Sequence, residues 1–497
     1  MSDNTQYDLL VIGGGINGAG IARDAAGRGL SVLLVEKNDL ASHTSSASTK
    51  LIHGGLRYLE HMEFRLVRES LIERERLLKI APHIVWPMRF VLPHDKGLRP
   101  KWMLRLGLFL YDNLGGRKLL PPTKNVNLRE GPHAQTLEDR LTSGFEYSDC
   151  WVEDARLVVL NCMDAAERGA TIRTRTECTA LKSENGAWTA TLKTMQGEDT
   201  VRAKTVINAA GPWVDQVLGK ANQGKAENNL RLVQGSHLIF PKLFDHSQAY
   251  IFQNKDDRII FAIPYERDYT LVGTTDVLWE DDPAKVAISD QEKQYICDAV
   301  NEYLRTDVSP DEAIWAYSGV RPLYDDHKSD NSTVTRDYVF DLDDHDGAKV
   351  LSIFGGKITT YRKLAEHALE KLGVNDRSGW TADTVLPGGD FDPMEFDDLH
   401  SDFEKQYSWA SEEMLHRFLR AYGTRTHKLL EGVTSVNGLG EYLGGDLYAR
   451  ELEYLCEHEF ALTAEDVLWR RSKLGLHLDD AARAKVASWF EARGEEQ

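Results

Sequence analysis

The stretch VIGGGINGAG at residues 11–20 follows an apolar run that begins at Tyr7 and sets Gly13, Gly15 and Gly18 in G-x-G-x-x-G spacing. Each glycine has its own task in that spacing. Gly13 permits the tight turn from strand to helix, Gly15 lets the backbone approach a pyrophosphate, and Gly18 lets the helix lie close on the sheet. Phosphates then meet a helix N-terminus, where unpaired N–H groups and the dipole favour negative charge. The flanks agree: helical patterning follows over residues 16–28, and a second apolar strand, 30–35, ends in Glu36. An acidic residue about 20 positions on is the usual partner of a ribose hydroxyl. These residues predict a βαβ unit that binds a dinucleotide, and they leave NAD and FAD both open.

Composition narrows the class. A chain of 497 residues with 42% hydrophobic content supports a large core, and its length predicts about three domains. A formal charge of −19 opposes a nucleic-acid partner, because a phosphate backbone needs a clustered positive field. A small anionic substrate needs only a local group of arginines and lysines. The cysteines, Cys150, Cys162, Cys178, Cys297 and Cys456, form no C-x-x-C pair. That argues against a disulfide framework and a cysteine-held metal, and it suits a reducing compartment. There is no secretory pattern and no apolar run near the ~20 residues of a membrane span, so the expectation is an intracellular chain that does not cross a membrane.

The predicted fold class is α/β: a Rossmann-type dinucleotide domain, an inserted antiparallel-sheet substrate domain and a C-terminal all-helical domain. A charged amphipathic helix is expected over residues 63–80, ended by Pro82. Strand patterning returns at 171–176, 188–193 and 201–208, the last leading into INAAG and rejoining the first sheet. Runs at 236–240, 259–263 and 270–273 predict a second sheet. A short buried strand at 351–354 precedes Gly355-Gly356 and a helix over 359–372. Thr463 and Asp466 resemble a capping box that opens a helix. The expected boundaries are residues 1–90, 150–230 and 340–389 for the dinucleotide domain, 91–149 and 231–339 for the substrate domain, and 390–497 for the helical domain.

Six further segments lie in order along the chain: SSASTKLIHGGLRYLE (45–60), GFEYSDCWVEDARL (144–157), INAAGPW (207–213), GTTD (273–276), YSGVRPL (317–323) and FGGKITTYRKLAEHA (354–368). Together with the opening fingerprint they resemble flavin-dependent glycerol-3-phosphate dehydrogenases, of the wider D-amino-acid-oxidase and glycine-oxidase group. AEDVLWRRSKLG (464–475) is similar to that family's C-terminal domain. The resemblance implies FAD as cofactor and oxidation of sn-glycerol 3-phosphate to dihydroxyacetone phosphate. It also implies electron delivery to quinone, with the protein cytoplasmic and peripherally attached to the inner face of the cell membrane. A homodimer is compatible with it.

Residue chemistry stands beside the resemblance. Gly355-Gly356 between strand and helix aims free N–H groups upward, at a flavin edge that gains negative charge on reduction. Lys357 adds a full charge and Thr359 a donor. The loop Ser45, Ser46 offers hydroxyls, and Gly54-Gly55 allows close backbone approach. Ala209, Gly211 and Asp276 complete the expected cofactor contacts; Asp276 also reads as a plain turn cap. For a phosphate dianion, the motif resemblance selects Arg57, Arg321 and Arg336, with Tyr58 and Lys357 beside them, since arginine suits bidentate binding of phosphate oxygens. Each arginine also reads as a surface ion pair, most readily Arg336 beside Asp337.

His237, alternating with apolar neighbours in VQGSHLIF, is the candidate base, with an ordinary pKa of ~6.5 suited to the task; a structural histidine is the competing reading. Arg321 is assigned to stabilise the developing alkoxide. His43 and His53 are noted as positions for covalent flavin attachment. Lys96, Arg99, Lys101, Arg105, Arg117 and Lys118 enclose an apolar, aromatic segment with Trp102 and Phe109. It reads either as a helix in the headgroup region of a membrane or as a helix buried on the second sheet. The competing functions are an oxygen-using oxidase, an enzyme of amino or hydroxy acids, and, from other classes, a flavoprotein acting on RNA or a non-catalytic FAD scaffold.

Overall fold

The computed structural model describes residues 6–95, 100–222, 229–256, 258–325 and 337–495. Its first sheet has eight strands. Gln6–Ile12 lies at the centre, paired in parallel with Val32–Val35 on one side and Gly197–Asn208 on the other. Thr171–Arg173 and Ala348–Phe354 extend the parallel set outward. Parallel strands are covered on both faces and so read as continuous apolar runs, which is why DLLVI and VLLV are legible as buried strands. Ile16–Gly27, Asp154–Glu167 and Tyr361–Lys371 pack together in the core on one face. The antiparallel meander of Glu177–Glu184, Ala187–Thr194 and Gly197–Asn208 contributes a second apolar cluster with the same sheet.

The second sheet has ten strands and is mainly antiparallel. Leu230–Pro241 pairs with Tyr269–Gly273 and with Trp315–Tyr324, and this register sets His237 opposite both Gly273 and Tyr317. Val85–His94 and Ser143–Val152 belong to this sheet along their whole lengths. The sequence boundaries at 90/91 and 149/150 therefore fall inside strands. Helix Phe64–Ile80 bridges the two layers: Leu77, Leu78 and Ile80 join the core of the first sheet, Val67 and Leu71 that of the second.

The C-terminal region has its own core, built on helices Phe396–Gln406, Glu412–Tyr422, Ala449–His458 and Asp480–Glu495. It is not purely helical, because Tyr442–Gly444 and Leu447–Tyr448 form a small hairpin. The expected cap is present, with Asp466 N–H donating to Thr463 Oγ1 and Thr463 N–H to Asp466 Oδ2, but it opens a π-helical turn, Asp466–Arg471. That turn docks the region on the first domain. Arg470 Nε and Arg471 Nη1 each lie 2.5 Å from the buried Asp39 carboxylate, and Arg156 pairs with Glu459.

Candidate active site

The glycine loop is built as its spacing requires. Gly13 has φ +115°, and a Cβ there would lie 2.5 Å from the Ala209 carbonyl oxygen; one on Gly18 would lie 2.0 Å from that of Gly13. Gly15 is the extended N-cap of helix Ile16–Gly27. Glu36 accepts from Gly14 N–H at 2.7 Å and from Asn38 N–H at 2.8 Å. Burial pushes its carboxyl above the ordinary value while those bonds pull it down. Each oxygen retains a lone pair for a ribose hydroxyl. Ser45 Oγ accepts from Ile16 N–H at 3.0 Å, at the helix start.

Gly13, Gly15, Glu36, Ser45, Ala209, Gly211, Gly355 and Gly356 share the wall of one cavity of about 170 Å³. Gly355 and Gly356 both take left-handed φ, +74° and +99°. The loop is tied to the first helix by a contact that sequence reasoning missed: Asn17 Nδ2 donates to the Gly355 carbonyl at 3.1 Å, across 338 residues. Asn17 Oδ1 is buried on this wall and, among the described residues, has no hydrogen-bond partner. Left-handed glycines, a helix N-terminus on the wall and an unsatisfied acceptor fit a dinucleotide here.

A larger cavity of about 550 Å³ lies beyond the same strand, with Arg321 on its wall and the next residue, Pro322, on that of the smaller one. Gly55, Arg57, Tyr58, Asp276 and Arg321 lie on its wall. Arg321 Nη1 pairs with Asp276 at 3.1 Å and Nη2 donates to Thr274 Oγ1 at 3.3 Å. Its path depends on Gly235 of the neighbouring strand, where a Cβ would meet Arg321 Nη2 at 2.4 Å. Lys357 Nζ stands 3.9 Å over the Tyr58 ring. Asp276 thus sits with the candidate substrate arginine rather than in the smaller cavity.

Other expected contacts are placed elsewhere. Ser46 donates to the His43 carbonyl. Gly54 packs where a Cβ would strike Leu71 and Tyr111, and its N–H donates to Tyr111 Oη at 2.7 Å. Thr359 is buried and its Oγ1 accepts from His53 N–H at 3.3 Å. Arg336 lies outside the described residues. His53 lines the large cavity and His43 the small one.

His237 is 1% exposed. Its ring stacks on Tyr317 at 4.8 Å, and Nε2 lies 2.9 Å from Thr49 Oγ1. Burial, then the charges of Arg321 and Lys50, hold its pKa well below the ordinary value, so the imidazole is neutral at pH 7. Lys50 is itself buried and paired with Asp154 at 2.7 Å.

The basic, aromatic segment forms a helix with one covered side and one exposed side. Helix Lys101–Leu114 buries Leu104, Leu108 and Tyr111 against the second sheet. On its other side it exposes Trp102 (65%), Phe109 (55%), Leu106 and Met103. Lys96 and Arg99 lie outside the described residues. No helix among the described residues is long and apolar enough to cross a membrane, and none of their His, Cys, Asp and Glu residues group into a candidate metal site.

Comparison with known proteins agrees with this architecture. The model of a family described as FAD dependent oxidoreductase matches residues 8–362, and that of the C-terminal domain of alpha-glycerophosphate oxidase matches residues 380–496. The chain is 50% identical to a glycerol-3-phosphate dehydrogenase of Pseudomonas aeruginosa, covering 98% of this chain and 95% of the relative. It is 47% identical to the aerobic glycerol-3-phosphate dehydrogenase of Escherichia coli, covering 97% of each, and 51% identical to the D-erythritol 1-phosphate dehydrogenase of Brucella abortus, covering 99% of each. The solved glycerol-3-phosphate dehydrogenase of Bacillus halodurans, in complex with FAD, superposes with a TM-score of 0.76 at 28% identity, covering 100% of this chain and 95% of that one. The dinucleotide left open by the glycine loop is therefore FAD, and the chain belongs to the FAD-dependent glycerol-3-phosphate dehydrogenase family.

Proposed function

We infer that this chain oxidises sn-glycerol 3-phosphate to dihydroxyacetone phosphate and passes the electrons to quinone at a membrane surface. The observation that carries this reading is one cavity wall bearing Arg57, Tyr58 and Arg321, with the next residue, Pro322, on the wall of the glycine-loop cavity. FAD, held by the residues of the glycine-loop cavity, would supply the hydride acceptor. Arg57 and Arg321 hold the phosphate through charge-assisted hydrogen bonds, and Arg336 is assigned the same role. Lys357, held over Tyr58, adds positive charge beside them. Arg321 also stabilises the alkoxide as the alcohol loses its proton. His237 is the assigned acceptor of that proton, though it is 1% exposed and lines neither cavity.

Anaerobic mixing with substrate tests the reading. Glycerol 3-phosphate bleaches the flavin, and glycine and 2-hydroxy acids do not; the reverse pattern overturns it. Peroxide release under air separates an oxidase from a quinone-linked dehydrogenase. The Brucella abortus relative supports a second substrate, D-erythritol 1-phosphate, because its 51% identity to this chain lies beside the 50% and 47% of the two glycerol-3-phosphate enzymes. The ratio of kcat/KM for the two phosphates decides between them.

The exposed Trp102, Leu106 and Phe109 face supplies the membrane contact. With a net charge of −19, attachment depends on apolar insertion rather than on attraction to anionic lipid.

A further inference from the structure

Arg57 and Tyr58 reach the wall of the large cavity from one short helical turn, Leu56–Leu59. Tyr58 N–H donates back to the Gly55 carbonyl at 2.9 Å, and Gly55 caps the turn in the left-handed region, at φ +74°. Glycine adopts that conformation without strain, but it brings no side chain to hold the chain there and leaves the backbone free to reorient. The direction in which Arg57 leaves the turn therefore follows from what grips the backbone just before it. Two side chains from distant elements do so. Thr359 Oγ1 accepts from His53 N–H at 3.3 Å, and Tyr111 Oη accepts from Gly54 N–H at 2.7 Å.

Tyr111 has little freedom of its own. It comes from the covered side of helix Lys101–Leu114 and is 1% exposed. Its hydroxyl donates to Asp149, lying 2.8 Å from each carboxylate oxygen. Asp149, on strand Ser143–Val152, is paired at 2.7 Å with Arg74 of helix Phe64–Ile80, and both are buried. Burial, then the charge of Asp149, holds the Tyr111 phenol well above its ordinary pKa, so it keeps its proton. A phenol has one proton to give and lone pairs to receive. The proton goes to the carboxylate in a charge-assisted bond, which leaves the lone pairs for Gly54 N–H. The ring is fixed as well: Tyr147 meets it edge to face with centroids 5.9 Å apart, and a Cβ on Gly54 would come within 2.7 Å of its Cε2.

We propose that Tyr111 is a positioning residue for the substrate: its hydroxyl, oriented by Asp149 and Arg74, fixes the Gly54–Gly55 turn that sets Arg57 and Tyr58 on the cavity wall. This rests on Arg57 holding the substrate phosphate. Arg57 and Tyr58 line the cavity and Tyr111 does not, so Tyr111 acts on substrate through the turn. A bond to the phosphate contributes alike before and during the oxidation. Its weakening raises KM and leaves kcat in place.

The test compares Tyr111→Phe, which keeps the ring and removes the hydroxyl, with Arg57→Ala and the double variant. Steady-state kinetics are measured on FAD-replete enzyme with glycerol 3-phosphate and a soluble dye acceptor. Tyr111→Phe is expected to raise KM by about 3–10-fold, the worth of one hydrogen bond, with kcat within about twofold and FAD content unchanged. In the Arg57→Ala background the same change is expected to raise KM by less than about twofold, because its route to the substrate is gone. Asp149→Asn keeps the Tyr111 hydroxyl but exchanges the charge-assisted bond for a weaker neutral one. It is expected to raise KM by a smaller factor, and it carries the test if Tyr111→Phe does not fold. Wild-type KM in Tyr111→Phe, or in Asp149→Asn where that alone folds, beside a raised KM in Arg57→Ala, overturns the positioning role. An equal rise in both backgrounds overturns it too. Wild-type KM in Arg57→Ala overturns the phosphate assignment itself.

Discussion

Arg321 and Asp276 form an ion pair at 3.1 Å on the wall of the large cavity. The arginine assigned to the substrate anion is thus already partnered before substrate arrives. Asp276 fixes one edge of the guanidinium, and Gly235 gives the side chain room to lie across the neighbouring strand. Both side chains are about 30% exposed, so the pair is worth no more than ~1 kcal/mol. A phosphate dianion making charge-assisted bonds competes with it easily. Asp276→Asn is expected to tighten inhibition by the product phosphate by roughly 2–5-fold. Inhibition constants for dihydroxyacetone phosphate measure this, and unchanged or weaker inhibition contradicts it.

Arg321→Ala removes bonds to a charged ligand worth about 1.5–3 kcal/mol each. The expected loss in kcat/KM is roughly 100-fold or more, with FAD retained. Arg321→Lys recovers only part of it, because a point charge does not reproduce the guanidinium fork. Steady-state kinetics on FAD-replete protein decide this. Full recovery by lysine shows that charge alone is needed.

Asn17→Ala cuts the bond between the first helix and Gly355. One such bond is worth about 0.5–1.5 kcal/mol, so FAD is expected to dissociate roughly 3–10-fold more readily. Fluorescence of released flavin on dilution reads this directly. Unaltered retention shows that the Gly355-Gly356 turn holds its shape unaided.

Acid destabilisation has an assignable source. His83 is fully buried, neither ring nitrogen has a partner among the described residues, and burial followed by the charges of Arg156 and Arg420 lowers its pKa to about 3. In the unfolded chain it titrates near ~6.5. Below that pH the unfolded state binds the extra proton, so stability falls as pH drops from about 6.5 toward 3. His43, His246 and His416, each held at about 4 mainly by burial, act in the same direction. Tm is expected to decline between pH 7 and pH 5, and His83→Leu is expected to shallow the decline. An equal slope in that variant removes His83 from the account.

Trp102 and Phe109 are exposed and lie off the lining of the large cavity. At about 1.5–3 kcal/mol for each large apolar side chain buried, replacing both with serine is expected to lower vesicle partitioning by ~100-fold or more. Turnover with a soluble dye acceptor is expected to stay unchanged. Sedimentation with neutral-lipid vesicles measures it, and undiminished binding assigns membrane contact to another surface.

What the sequence made legible was mostly local. The roles of Gly13 and Gly18 follow from spacing, and Glu36 from its place after the second strand. The buried parallel strands show as unbroken apolar runs. The ends of Val85–His94 did not, because this strand carries Pro87, Arg89 and Pro93 among its apolar residues. Contacts between distant segments left no local pattern. Nothing near His237 announces Thr49, 188 residues away. Gly235 reads as an ordinary strand glycine until Arg321 is seen crossing it, and Asp276 reads as a cofactor contact until its partner is in view. The sequence of helix Lys101–Leu114 suits a buried helix and a membrane-surface helix alike, because basic residues flank an apolar, aromatic run; only the packing shows that one side is covered and the other bare.

The central claim is that the cavity wall of Arg57, Tyr58 and Arg321 presents a phosphorylated polyol for oxidation by bound FAD. Anaerobic rapid mixing of the purified yellow protein with sn-glycerol 3-phosphate tests it most directly. The account predicts complete bleaching of the flavin, with one dihydroxyacetone phosphate formed per flavin reduced. A flavin that stays oxidised with this substrate, in protein that retains its full complement of FAD, would contradict it.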